Sequence, residues 1–155
     1  MKDLGELKPY VLINIDCDFK KGVMKLDRKY YIETLAKRCN IENSKLCSTS
    51  MQQSLNLEQS QSSSIEMKYR NLIGELLYDG MGTPIDISYS ANYLSRFQNC
   101  YDESHLKYTL RALKYHFLTR ERKLTYQRNI NDEIMDSSVD ADWAGSKTDR
   151  QPTTG

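Results

Sequence analysis

Tyr69-Arg70-Asn71-Leu72-Ile73-Gly74-Glu75-Leu76-Leu77-Tyr78 decides the fold, because its apolar residues return every three to four positions. Tyr69, Leu72, Ile73, Leu76 and Leu77 share one helical face, and the spacing predicts a helix from Ile65 to Asp79. Gly80-Met81-Gly82-Thr83-Pro84 ends it, since glycine accepts the cap conformation and proline cannot continue a helix. A stripe of that strength needs other amphipathic elements to bury it.

Those elements lie on both sides. Downstream, Asp86 is placed to cap a helix that turns Ile87, Ala91, Leu94 and Phe97 inward. Asp102 is placed to cap another, with Leu106, Leu110, Leu113 and Phe117 inward. Upstream, Asp27 can cap a helix starting near Arg28, with Tyr31, Ile32, Leu35, Ala36 and Cys39 at helical spacing. Residues 43–64 are rich in Ser and Gln, which predicts a long flexible connector whose Met51, Leu55 and Leu57 dock locally. Before the helices, Leu7 to Ile15 and the run Val23, Met24 and Leu26 read as a β-hairpin turning at Gly22. Pro9 lacks the ladder donor and belongs at an edge or a strand start. After Arg122, Lys123 to Tyr126 is a short strand candidate. Asn129 to Asp136 reads as linker, and Ser138 to Trp143 as one strand with no partner strand before the chain stops at Gly155. The fold class is α+β: a hairpin over 1–27, about four amphipathic helices over 28–128, and a linker with a last strand over 129–155.

Composition bounds the function. The 155 residues suit about one domain, and 28% charged with 39% hydrophobic residues suits a soluble globular protein. Lys and Arg total 22 against 21 Asp and Glu, so any basic surface must be local. The longest apolar run, Tyr10 to Ile13, is too short to span a bilayer, so no membrane role is expected. Met1 to Gly5 has no apolar signal core, so an intracellular protein is expected, not a secreted one. Cys17, Cys39, Cys47 and Cys100 form no CxxC pair, and His105 and His116 have no zinc-ligand spacing. The four cysteines read as reduced thiols.

Lys107, Arg111 and Lys114 fall at i, i+4 and i+7 on the last helix, opposite its leucines, with Arg120, Arg122 and Lys123 just beyond. Such a stripe either neutralises nucleic-acid phosphates or is a solvated helix face. Asp16 and Asp18 alternate on the hairpin and read as solvated acids. His105 has no partners spaced for catalysis and reads as a structural residue at a helix start. Tyr69, Tyr89, Tyr93, Tyr108 and Tyr115 read as half-buried packing, with base stacking open to one or two.

Four strings in order resemble one family, the copia-type LTR retrotransposon Pol polyproteins. Met1-Lys2-Asp3-Leu4-Gly5-Glu6-Leu7-Lys8 resembles the segment after their polymerase active site. Tyr69 to Tyr78 resembles their YRxLIGxLLY helix, and Asp86 to Phe97 their DISYxVNxLSRF helix. Ser138-Val139-Asp140-Ala141-Asp142-Trp143-Ala144-Gly145, with Asp149-Arg150 and Thr153-Thr154-Gly155, resembles the opening of their ribonuclease H. The resemblance covers nearly the whole chain. It implies a palm end and thumb-like region of a reverse transcriptase, then a linker and a truncated ribonuclease H start.

The resemblance also implies that the polymerase carboxylates lie upstream. Asp140 stands where the first metal-binding catalytic aspartate of the ribonuclease H stands, with its partner acids downstream. Mg²⁺ serves the intact parent enzyme. One carboxylate holds Mg²⁺ poorly, because the ion wants about six oxygens, so Asp140 is expected to be idle here. Trp143 would pack in that domain's core. The implied partners are RNA–DNA hybrid or primer–template duplex and the missing polymerase and ribonuclease H segments, in a cytoplasmic particle or the nucleus. The alternatives are a small helical interaction protein and a non-functional decayed remnant. Departures from the family pattern motivate the last: Lys8 to Ile13 loses a tyrosine and a glycine, Ser50 stands in a proline's place, an arginine is lost between Thr83 and Pro84, and an apolar position is Asp79. Leu106 and Leu118 stand for a tryptophan and a glycine.

Overall fold

A computed structural model describes residues 11–60, 68–82, 85–128, 141–142 and 153–154. Strands β1 (Asn14–Asp18) and β2 (Val23–Asp27) form the early hairpin. Gly22 makes the turn with φ of +63°, where a side chain is disfavoured, while the Asp18 carboxylate accepts the N–H groups of Lys20 and Lys21. The hairpin starts later than the apolar run suggested: β1 begins at Asn14, and Leu7 to Tyr10, Pro9 included, lie outside the described residues.

Helix α1 (Lys29–Arg38) follows at once. Arg28, not Asp27, occupies its N-cap, yet the Asp27 carboxylate still accepts the Lys29 N–H at 3.2 Å. The helix closes with paired bonds, Asn40 N–H to the Lys37 carbonyl and Ile41 N–H to the Ala36 carbonyl. Asn40 takes φ of +54°, the left-handed conformation that such a C-terminus requires and that Asn tolerates. Ile32, Leu35 and Ala36 are buried, as their spacing predicts.

Helices α2 (Lys68–Gly80), α3 (Ile85–Ser95) and α4 (Glu103–Leu118) complete the helical layer. Tyr69, Leu72, Ile73 and Leu76 of α2 meet Ile87, Ala91 and Leu94 of α3 and Leu113 and Phe117 of α4 in one core. Asp86 does not cap α3. It lies inside the first turn, and its carboxylate accepts the Tyr115 hydroxyl at 2.7 Å and Arg122 at 3.2 Å. Asp102 does cap α4: its carboxylate accepts the N–H groups of Ser104 and His105. The buried face of α4 departs from the leucine reading. It is His105, Thr109, Ala112, Leu113, His116 and Phe117, with Leu106 and Leu110 at its edges.

Residues 43–60, read as a flexible connector, have no helix or strand but are held to the helices. Tyr93 Oη donates to the Leu55 carbonyl and accepts the Leu57 N–H, and Ser60 N–H bonds the Cys100 carbonyl. After α4, strand β3 (Leu124–Gln127) returns to β2, so the hairpin becomes a three-stranded antiparallel sheet in the order β1-β2-β3. The last strand has a partner after all: β4 (Ala141–Asp142) pairs antiparallel with β5 (Thr153–Thr154). Among the described residues the architecture is α+β, with an early hairpin and four helices.

Candidate nucleic-acid interface

On the side of α4 away from its core lie, in order, Lys107, Arg111, Lys114 and Leu118. The helical period places them on the opposite side from Thr109 and Leu113. Lys107 is exposed, and Arg111 and Lys114 are half-buried. Among the described residues neither Lys107 nor Lys114 has an ion-pair partner. Arg111 donates to Thr49 Oγ1 at 2.8 Å, which ties the connector to the helix.

The cations beyond α4 are different. Arg120 pairs with Glu33 at 3.4 Å, Arg122 with Asp86 at 3.2 Å, and Lys123 with Asp27 at 3.2 Å. Arg120 also lies 4.3 Å above the Phe117 ring and donates to its carbonyl. These three cations are engaged inside the molecule, so along this stretch of chain the lysines without an ion pair among the described residues are Lys107 and Lys114 of α4. Burial pushes the Asp27 carboxyl up, but bonds from Asn14, the Lys29 N–H and Lys123 outweigh it, and the net direction is below the ordinary 3.8. Asp27 thereby joins β1, β2, α1 and the approach to β3.

His105 lies in the core with Nδ1 2.8 Å from the Asp102 carboxylate and 3.2 Å from the Asp102 N–H, closing a capping box. The Ser104 hydroxyl and His105 hold the Asp102 carboxyl far below its ordinary range. This is a helix terminus, the structural role expected of His105.

Sequence reasoning marked Asp79 as a departure at an apolar position but did not foresee the buried polar cluster it belongs to. Asp79 is fully buried on α2, hydrogen-bonded to His116 Nε2 of α4 and 3.5 Å from the Arg28 guanidinium. Arg28 also donates to the Tyr78 carbonyl at 2.7 Å and lies 4.7 Å above the Tyr78 ring. Gly82 leaves the space: a Cβ there would fall 2.4 Å from the guanidinium carbon. The legible signal was an acid at 79, three residues after Leu76 on the apolar stripe. An acid there must find a cation or a donor.

Asp140 and Trp143 lie outside the described residues. Asp16 stands on β1 opposite Lys25, and Asp18 is occupied by the turn and by Lys21 at 3.6 Å. Among the described residues no three His, Cys, Asp or Glu side chains gather as a metal site would need. No described helix is long and apolar enough to cross a membrane.

No protein-family model matches the chain, and no solved structure matches it. Curated relatives do. The whole chain is 33% identical over 157 residues to a retrovirus-related Pol polyprotein from transposon RE1 of Arabidopsis thaliana, covering 10% of that protein. It is 31% identical over 129 residues to a putative transposon Ty5-1 protein of Saccharomyces cerevisiae, with 82% of this chain and 42% of that one aligned. It is 26% identical over 163 residues to a retrovirus-related Pol polyprotein from transposon TNT 1-94 of Nicotiana tabacum, covering 12% of it. The chain thus spans less than half the length of each of these relatives. Matches that run along most or all of the chain, to polyproteins from two plants and a transposon protein from a yeast, place it in a family: the chain is a fragment of a retrotransposon Pol polyprotein.

Proposed function

We propose that the chain is the part of a copia-type Pol polyprotein that runs from the palm end and thumb-like region of the reverse transcriptase to the start of the ribonuclease H, and that its α4 stripe grips RNA–DNA hybrid. The observation that carries this reading is the unpaired outer face of α4. Lys107 and Lys114 stand on one side of the helix with no acid paired to them among the described residues, while Arg120, Arg122 and Lys123 beyond it are paired with acids. Phosphates are the ligand such a stripe would take, and contacts of this kind grip without reading sequence. Catalysis is left to the rest of the polyprotein.

The salt dependence of binding tests this. Affinity for a short RNA–DNA hybrid should fall steeply with salt, and Lys107→Glu with Lys114→Glu should flatten the slope by about two. Unchanged affinity and slope in the double variant would remove the stripe.

One observation favours a protein partner as well. Ile15, Cys17, Met24, Leu26, Leu124 and Tyr126 project from one face of the three-stranded sheet, because paired residues share a face and alternate along each strand. None of the six is buried, and the described helices pack chiefly on one another. The polymerase segment of the polyprotein is the partner this face would meet.

A further inference from the structure

We propose that the groove beside the stripe, between the connector, Tyr89 of α3 and Arg111 of α4, receives an unpaired nucleobase of a single-stranded extension. The proposal rests on the reading that α4 contacts RNA–DNA hybrid, and it names what lies at the edge of that contact.

The groove is lined by Thr49, Gln52, Gln53, Leu55, Tyr89 and Arg111 among others, and no carboxylate lines it. It therefore combines one cation, side-chain amides and an aromatic face. A nucleotide offers the complement: an anionic phosphate, a polar base edge and a flat ring. Tyr89 is the distinctive part. Tyr69, Tyr93, Tyr108 and Tyr115 are buried or half-buried in the helical layer, whereas Tyr89 is 73% exposed. Its ring is nonetheless backed. It stacks on Tyr93 with centroids 6.5 Å apart and planes at 24°, and Tyr93 is itself fixed by its bonds to Leu55 and Leu57. An exposed aromatic on a fixed backing is a stacking platform that loses little side-chain freedom on binding.

The polar lining is oriented in the same way. Tyr108 donates to Gln52 Oε1 at 3.1 Å, which leaves the Gln52 amide N–H₂ to face a base edge. Thr49 holds one end of the half-buried Arg111 guanidinium, which pairs with no acid among the described residues. Arg111 is also the middle residue of the stripe, one turn from Lys107. A strand whose paired part lies along α4 can therefore place the phosphate of its first unpaired nucleotide on Arg111. A paired base cannot enter, because its edge and faces are already engaged in the duplex.

Anisotropy titrations of the full chain test this with two probes: a blunt RNA–DNA hybrid, and the same hybrid carrying a short unpaired extension. The extension should tighten binding by about five- to hundredfold, the range of aromatic stacking on a base. Tyr89→Ala should abolish that gain and leave blunt-hybrid affinity unchanged, Tyr89→Trp should keep it, and Tyr30→Ala, an exposed tyrosine on α1, should not affect it. Equal affinity of the unaltered chain for both probes overturns the groove and leaves the stripe standing. A gain that survives Tyr89→Ala, or that Tyr30→Ala removes equally, also overturns it. Binding of neither probe overturns the underlying reading and the groove with it.

Discussion

Asp79 is the residue on which the interior turns. An unpaired carboxylate at a fully buried position costs several kcal/mol, and here the charge is met by Arg28 and the oxygen by His116. The three come from the approach to α1, from α2 and from α4, so one polar cluster fixes how these elements sit together. Asp79→Ala leaves Arg28 buried without its counter-charge and should destabilise the chain by about 3–5 kcal/mol. Replacing all three groups, with Arg28→Met, Asp79→Leu and His116→Leu, should recover most of that loss, because well-packed apolar side chains replace a buried ionic cluster at little cost. Urea unfolding of both variants checks this, and a triple variant no more stable than Asp79→Ala would refute it. The departure at 79 is thus accommodated inside the fold rather than left bare. The sequence displayed the acid on the apolar stripe but not its partners, which lie 51 and 37 residues away.

Among the elements, the hairpin depends most on a single position. Gly22 has φ of +63°, and a Cβ added there would lie 2.9 Å from the Arg128 side chain. The same glycine's carbonyl accepts the Arg128 N–H at 2.7 Å, continuing the β2–β3 ladder. Gly22→Ala should cost about 1–2 kcal/mol from backbone strain alone, before any steric cost, and should loosen both sides of the sheet. Faster amide exchange in β1 and β3 together, with α2 to α4 unaffected, is the expected outcome; exchange confined to β1 would refute the coupling. The hairpin was legible from its alternation and its glycine, and Lys123 to Tyr126 was legible as a short strand, but its place in the sheet was not: four residues from Leu124 have no pattern that names β2 as their partner. The α4 face shows the same limit. His105, Thr109 and His116 are polar by type, so periodicity assigned the interior to Leu106 and Leu110. The cap at Asp102, the carboxylate of Asp79 and the His105 carbonyl, which takes the Thr109 hydroxyl at 2.9 Å, make those polar residues interior ones.

At the scale of the molecule, Tyr69 reports on the whole helical layer. It is buried, donates to the Leu94 carbonyl at 2.6 Å and stacks on Tyr101 with centroids 4.6 Å apart. Burial pushes its phenol from 10.0 up to about 12. The raised value sets the sign: the contribution to stability is complete below pH 10 and is lost as pH rises towards about 12. Helical circular dichroism and tyrosinate absorbance should therefore change together in that window, and Tyr69→Phe should hold its helicity to higher pH. Tyrosinate formation by all eleven tyrosines with helicity intact would contradict this.

The sequence by itself determined the α+β class, the four helices, the hairpin turn at Gly22 and the family likeness, because these rest on local period, caps and contiguous strings. Only the tertiary structure decided which polar groups are inside and which cations are free. Arg120, Arg122 and Lys123 look like an extension of the α4 stripe along the chain, yet Glu33, Asp86 and Asp27 neutralise them across space. Charge pairing of that kind is set by distance in the fold, and sequence separation does not encode it. The helix that opened the reading shows both halves: Tyr69 to Leu76 follow from spacing, and Asp79 follows from what two distant segments bring to it.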